Sequence, residues 1–374
     1  MNNTTDYYYD QNYYVFYTTV WIEAEPCEAI PIPHARIFFP LVYSIIFAVG
    51  FLGNGLLISA LGLKCRLKRQ VDVFIINLAL ADLVFLITLP LWVDAEAWGK
   101  LWRSGLLLCR LSAYLVAVNA YSSVSFLSCM SLDRYLAIVY PLRSRRVRSK
   151  TYAALACLLV WSASFLLGLP ILYNRIIDTR GEASYCTEDQ VSHSSAVSLA
   201  YLLLTFVFPM LIILICYCCI TRKLCLQYRR SKKQDIKLRK SMRVVFMVVL
   251  FFLLSWLPFN VFRFLALLHR WGVGFESCSF QHAVVLGQEA SAPLAFANSC
   301  INPVIYWLHD SSIRKAVLRL LLPCLKPLHL SRFSATSDSH PSGASTITTD
   351  YSSQKGRSPH CTVQLATWAT HVEP

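Results

Sequence analysis

The sequence predicts an all-α membrane protein, a bundle of seven membrane-spanning helices followed by a short amphipathic helix. The 374-residue chain is 56% hydrophobic and 15% charged, with a mean hydropathy of +0.47, whereas soluble globular domains carry about 25% charged residues. Its apolar residues are segregated into seven long runs. Its basic residues gather in alternate gaps between those runs.

The first run, 37–63, has no charged side chain over twenty-seven residues, more than the roughly 20 that cross the hydrocarbon core as a helix. The second, 72–94, is broken in its interior only by Asp82. The third is 111–132, the fourth 151–174 and the fifth 195–221. The sixth, 244–268, contains Arg263, and the seventh, 279–308, is interrupted only by Glu289.

Orientation follows from the positive-inside rule. The first gap carries Lys64, Arg66, Lys68 and Arg69, and the third carries Arg143, Arg145, Arg146, Arg148 and Lys150. The fifth, 222–243, holds ten Lys and Arg against one Asp. These gaps are expected in the cytoplasm. The segment before residue 37 has Asp6, Asp10, Glu23, Glu25 and Glu28 against Arg36 alone, so it is expected outside. An odd number of spans then places the C-terminus in the cytoplasm of a multi-pass plasma-membrane protein. No basic start followed by an apolar stretch marks a cleavable leader, so the first span is expected to direct its own insertion. The net charge of +14 reads as cytoplasmic loops facing anionic membrane lipid and protein partners, with no need for nucleic acid.

Four regions result: an extracellular Tyr-rich acidic tail, 1–36; the seven-helix bundle, 37–309; an amphipathic juxtamembrane helix, 310–324; and a disordered cytoplasmic Ser/Thr-rich tail, 325–374. In the first, Tyr7, Tyr8 and Tyr9 stand between Asp6 and Asp10, an acidic setting for sulfation that would add fixed negative charge for basic groups of a ligand. Asn2 and Asn3 begin overlapping glycosylation sequons, usable outside the cell. Of fourteen cysteines, Cys27, Cys109, Cys186 and Cys278 map outside, where pairing is favoured. Four allow three pairings, and the residues alone leave the choice open.

In the juxtamembrane segment, Ile313, Ala316, Val317, Leu320 and Leu321 fall on one helical face, with Arg314, Lys315 and Arg319 on others, as for a helix lying on a membrane surface. Cys324 follows where a palmitoyl anchor would hold it. The tail from Ser331 to Thr370 offers hydroxyls for receptor kinases and hence an arrestin-binding surface.

Polar residues inside spans are costly unless paired or hydrated. Asp82, Asn54, Asn119, Ser123, Asn298, Ser299 and Asn302 lie at similar depth and suit a small cation. Asp133-Arg134-Tyr135 closes the third span. Phe252, Trp256 and Pro258 mark a kink in the sixth, and Asn302, Pro303 and Tyr306 another late in the seventh. Kinkable helices around one polar core suit a two-state machine.

Gly53-Asn54, Leu78-Ala79-Leu80-Ala81-Asp82, Asp133-Arg134-Tyr135, Trp161, Pro209 with Tyr217, Trp256-Leu257-Pro258 and Asn302-Pro303-Val304-Ile305-Tyr306, in this order, resemble a rhodopsin-class G-protein-coupled receptor over 37 to about 322. Thr88-Leu89-Pro90 with Trp92, Trp102 before Cys109, and the outer Cys27 and Cys278 are similar to the chemokine and angiotensin receptor branch. Phe296 to Pro303 and Cys216-Tyr217-Cys218-Cys219 look closest to its orphan-type members.

That resemblance implies the bridges Cys109–Cys186 and Cys27–Cys278. It implies a ligand site with Tyr43, Trp92 and Glu289, although the branch's usual glutamate falls one turn later, at Ala292 here, and it makes Arg263 a charged partner for the ligand. It implies no cofactor beyond a sodium ion at Asp82, Asn119, Ser123 and Asn298 as a modulator of the inactive state. Activation is expected to move the sixth helix about Phe252, Trp256 and Pro258, to part Arg134 from Asp133, and to bring in Tyr217 and Tyr306. The implied partners are a secreted peptide or chemokine-like ligand, basic to match the acidic tail, and a heterotrimeric G protein of the inhibitory class. A scavenging receptor without G-protein signalling is the nearest rival, but its usual sign, erosion of Asp133-Arg134-Tyr135, is missing. A transporter would show repeated halves, a light sensor needs a lysine between Ser277 and His309, and an enzyme would need a nucleophile, base or metal set. No such repeat, lysine or set is visible in the sequence.

Overall fold

The computed structural model describes residues 34–62, 70–142, 144, 149–188, 195–230, 236–271, 273 and 277–325. The helices are α1 (Ala35–Gly62), α2 (Gln70–Leu86), α3 (Leu89–Ala97), α4 (Gly105–Val139) and α5 (Lys150–Asn174), then α6 (Ser195–Leu202), α7 (Phe208–Arg230), α8 (Ile236–Arg270), α9 (Cys278–His309) and α10 (Ser311–Leu325). Strands β1 (Arg175–Arg180) and β2 (Ala183–Glu188) form a hairpin between α5 and α6. Met1–Arg319 is one compact unit, and Leu320–Pro374 is a second whose described residues are the end of α10.

Six stretches of the described chain are long and apolar enough to cross a membrane: 35–62, 70–97, 105–139, 151–174, 198–226 and 246–269. The seventh expected span, α9, is long enough at 32 residues, but Gln281, Gln288, Glu289, Asn298 and Asn302 make it less apolar. Those residues are buried in the bundle, where each meets protein, not lipid.

The second span is two helices because Pro90 lacks an N–H and cannot continue the α2 ladder. Thr88 ends the interruption by donating its hydroxyl to the Phe85 carbonyl at 2.7 Å. The fifth span carries one π-helical turn, Leu203–Val207, where Thr205 donates its hydroxyl to the Tyr201 carbonyl at 2.8 Å. Ser149 and Ser277 cap α5 and α9, accepting from the backbone N–H groups of Tyr152 and Phe280; such caps satisfy donors that a helix start leaves open.

α4 is the central helix, buried over most of its length and packed against α2, α5 and α7. α1 and α5 present Ile37, Leu52, Leu159 and Leu166 outward, each more than half exposed, as a lipid-facing surface requires. Glycines permit the closest helix approaches. A Cβ on Gly50 of α1 would lie 2.9 Å from the Leu86 side chain, and one on Gly287 of α9 would lie 2.3 Å from the Phe262 ring.

Two features were not foreseen. Between α5 and α6, residues 175–188 form an antiparallel hairpin with Ile177 opposite Cys186 and a turn at Gly181, φ 59°. The basic segment 222–243 was read as a loop, yet α7 runs to Arg230 and α8 begins at Ile236. Charge marks where a chain leaves the bilayer, not where its helix ends, and Lys and Arg are good helix formers.

Candidate functional site

At one end of the bundle, here called the hairpin end, the disulfide Cys109–Cys186 ties the start of α4 to β2 across a Cα–Cα distance of 5.7 Å. Arg110 donates through Nε to the Arg175 carbonyl at 2.9 Å, and the Trp102 N–H donates to the Ser184 carbonyl at 2.7 Å. The hairpin is thereby fixed to both sides of the bundle's mouth. Cys278 is also disulfide-bonded. Its expected partner, Cys27, lies outside the described residues, as do Asn2, Asn3, Tyr7, Tyr8 and Tyr9.

Beneath the hairpin lies a cavity of about 210 Å³, lined by Tyr121, Ile171, Arg175, Glu188, Tyr201 and Arg263 among others. Arg175 and Arg263 are only 5% and 8% exposed, and the Nε of each has no hydrogen-bond partner. The Arg263 guanidinium lies 4.0 Å over the Tyr201 ring, so its position is held partly by a cation–π contact. Two buried guanidinium groups face one lining carboxylate, Glu188, and an excess of buried cationic charge favours an anion. The sequence singled out Arg263 but missed Arg175 and Glu188. Both sit at the open ends of a hairpin, paired across register as Arg175↔Glu188, and only the hairpin brings them together.

A second corner of the same end holds Tyr43 and Trp92, 2% and 1% exposed. Trp92 packs on Trp102 with ring centroids 4.9 Å apart, and Tyr43 packs on Phe296 at 5.6 Å. Glu289, on α9, is ion-paired with Lys100 in the turn after α3. The expected ligand residues therefore divide: Tyr43, Trp92 and Glu289 lie in this corner, and Arg263 lines the cavity under the hairpin.

Midway along the bundle, the Asp82 carboxylate accepts hydrogen bonds from Ser299 Oγ at 2.9 Å, Asn302 Nδ2 at 3.0 Å and Asn119 Nδ2 at 3.3 Å. Asn119 also donates to Ser123 Oγ at 3.1 Å. Asn54 donates to the carbonyls of Gly50 and Ser299, and its buried Oδ1 has no partner. Asn298 is buried in the same stretch of α9. Three donors converge on the one carboxylate, which stabilises the charge that burial opposes.

At the opposite end, Arg134 and Asp133 form an ion pair at 3.4 Å, their side chains 8% and 5% exposed. Tyr135 packs edge-on against Tyr140. Tyr217 packs edge-on against Phe246, with centroids 5.8 Å apart, joining α7 to α8. The Tyr306 hydroxyl donates to Met130 Sδ at 3.6 Å, joining α9 to α4. Between the two ends, Phe252 and Trp256 stack along α8 at 6.0 Å. Beside Pro258, which lies inside the continuous helix α8, Asn260 donates to the Trp256 carbonyl at 2.8 Å.

A cavity at one end, a carboxylate-centred core and a buried ion pair at the other thus lie along one bundle of membrane-length helices. The sequence model of the family described as "7 transmembrane receptor (rhodopsin family)" matches residues 53–306, and the chain belongs to that family. Its members are receptors, not enzymes. The chain is 43% identical to G-protein coupled receptor 15 of Mus musculus over 308 residues, 82% of this chain and 85% of that one. It is 38% identical to Probable G-protein coupled receptor 25 of Mus musculus over 349 residues, 92% and 93% of the two chains. It is 36% identical to Apelin receptor A of Danio rerio over 310 residues, 79% and 86% of the two chains.

Proposed function

We propose that this chain is a cell-surface receptor for a secreted peptide, with the hairpin end outside the cell and the Asp133 end turned to a heterotrimeric G protein of the inhibitory class. The orientation is supported by the basic gaps 64–69, 143–150 and 222–243 and the acidic N-terminal segment. A peptide ligand is in keeping with the relative named for apelin. The observation that carries the ligand's chemistry is the pair of buried guanidinium groups, Arg175 and Arg263, each with an unpartnered Nε at one cavity. A peptide with a basic body would be drawn in by the acidic tail. A carboxylate at its inserted tip would then satisfy the two arginines.

In the polar core, a sodium ion would take its oxygens from Asp82, Ser123, Asn119 and Asn298, and the unpartnered Asn54 Oδ1 is a further acceptor. The donor chemistry fits a hard monovalent cation. Arrestin and receptor kinases would act on the Ser/Thr-rich tail, and Cys324, in α10, would carry a palmitoyl group.

The test is a screen of secreted peptides on cells expressing the chain, read as suppression of cyclic AMP with and without pertussis toxin. A toxin-sensitive response is expected. Arg263→Gln and Arg175→Gln should each weaken that peptide, because a buried charge deprived of its partner costs roughly 2–5 kcal/mol, a loss of about 30-fold or more. Potency unchanged at normal surface expression would remove the anion site, and arrestin recruitment without any G-protein response would favour a scavenging receptor.

A further inference from the structure

The cavity under the hairpin has two unlike sides. Its inner side carries Arg175, Glu188 and Arg263, and its outer side Leu167, Pro170, Ala200 and Leu204. All four outer residues are apolar and exposed, Leu167 by 38% and Leu204 by 39%. Leu167 and Pro170 belong to α5, Ala200 to α6, and Leu204 to the π-helical turn that follows. On helices long and apolar enough to cross a membrane, an exposed apolar edge faces acyl chains. α4 closes the back, because it packs against both α5 and the π-helical turn. The cavity is therefore a slot between α5 and α6 that opens sideways to the bilayer.

Its depth suits an amphiphile. Arg175 caps the C-terminus of α5, and nearby Tyr173 is 70% exposed, as tyrosines are at the membrane–water boundary. Leu167 lies about 12 Å deeper along the helix, by the helical rise. Charge thus sits at headgroup level and the apolar edge at acyl level. Among the lining residues two guanidinium groups meet one carboxylate, so one positive charge remains even when Glu188 is fully paired. The Nε atoms of Arg175 and Arg263 are buried without a partner, and an anion would satisfy them. At about 210 Å³ the cavity is smaller than the roughly 300–1,000 Å³ that encloses a whole drug-sized ligand. It holds a headgroup and leaves a long chain in the slot and the lipid beyond.

We propose that this slot admits a single-chain lipid anion, a fatty-acid carboxylate from the outer leaflet, whose head is held by Arg175 and Arg263 and whose chain leaves between Leu167 and Leu204. This rests on the reading of the arginine pair as an anion site and of the hairpin end as the outer one. The lipid then competes with the carboxylate of an inserted peptide for the same two arginines, so fatty acid in the membrane lowers the peptide's apparent affinity.

The probe is palmitate carrying a diazirine midway along its chain, added to the full-length receptor in phosphatidylcholine nanodiscs, irradiated, and located by mass spectrometry. Label is expected on α5 and α6 around Leu167 and Leu204. Unlabelled palmitate should displace it, whereas hexadecanol, which lacks the charge, and acetate, which lacks the chain, should not at equal concentration. Arg175→Gln and Arg263→Gln should each reduce the label about tenfold, the loss of one charge-assisted hydrogen bond. Should those variants fail to fold, Ala200→Trp decides. It closes the slot from its exposed edge without touching a buried charge, at a depth that tryptophan favours, and should remove the label. Competition by hexadecanol equal to that by palmitate would leave only a lipid-facing groove, and competition by acetate would leave an anion site filled from water. Label undiminished by Ala200→Trp would leave no slot; each of these results overturns the proposal. Peptide potency lost in the arginine variants with label unaffected overturns the lipid alone. Label as expected with no cyclic AMP response to any peptide keeps the lipid site and removes the signalling assignment.

Discussion

At the scale of single residues, Asp82 shows how far chemistry can be read before a fold is known. A carboxylate inside an apolar run demands partners, and the polar residues at matching depth supply them: Ser299, Asn302 and Asn119 all donate to it. If a sodium ion shares these oxygens and favours the inactive state, raising sodium from zero to physiological levels should weaken agonist binding in wild type. Asp82→Asn should abolish that dependence, since the amide keeps the shape but carries no charge. A binding titration against sodium chloride, with potassium as control, checks it, and equal sodium sensitivity in both proteins would remove the site. Residues joined by helical periodicity were legible in this way. Arg175 and Glu188 were not, because each acquires its role from a backbone feature without a periodic signal, the hairpin register.

At the scale of elements, the apolar runs located the spans, but an apolar run does not say where its helix ends. α4 runs seven residues past the expected end at 132, to Val139, so Asp133-Arg134-Tyr135 lies inside a helix and not at its edge. How closely two helices approach was equally hidden, since a glycine in a run looks like any other small residue. Gly287 is such a case. α8 and α9 pack extensively, and at their contact the Phe262 ring occupies the place of the missing side chain, 2.3 Å from where a Cβ would be. At that distance the ring must shift before a methyl group can fit. Gly287→Ala should therefore push α8 from α9 and cost roughly 1–3 kcal/mol by overpacking, seen as a lower melting temperature of the purified receptor. Alanine is the better helix former by about 1 kcal/mol, so a rise in melting temperature would show that the ring gives way freely.

At the scale of the whole molecule, the hairpin end and the Asp133 end communicate only if two arrangements of the bundle exist and each end favours one of them. The family resemblance made this expectation legible, because the motifs at both ends sit in one ordered set; the equilibrium between the arrangements has no sequence signal at all. The structure shows the Asp133–Arg134 pair closed at 3.4 Å and almost fully buried, with Tyr217 and Tyr306 tied to α8 and α4. Breaking the pair while keeping its volume should therefore destabilise this closed arrangement relative to the open one. Asp133→Asn does so: Arg134 keeps a polar neighbour but loses the opposite charge. Two consequences are linked by thermodynamics. Basal suppression of cyclic AMP should rise, and agonist affinity should rise with it, because an agonist that favours the open state no longer works against the pair. Coupling of this kind is typically about 1–3 kcal/mol, which corresponds to roughly 5- to 150-fold in affinity. Measuring both in one cell line at matched surface expression separates the outcomes. Higher basal activity with unchanged affinity would mean that the pair restrains the G-protein face alone, and no change in either would mean that the closed arrangement is held by the tyrosine contacts on α7 and α9 instead.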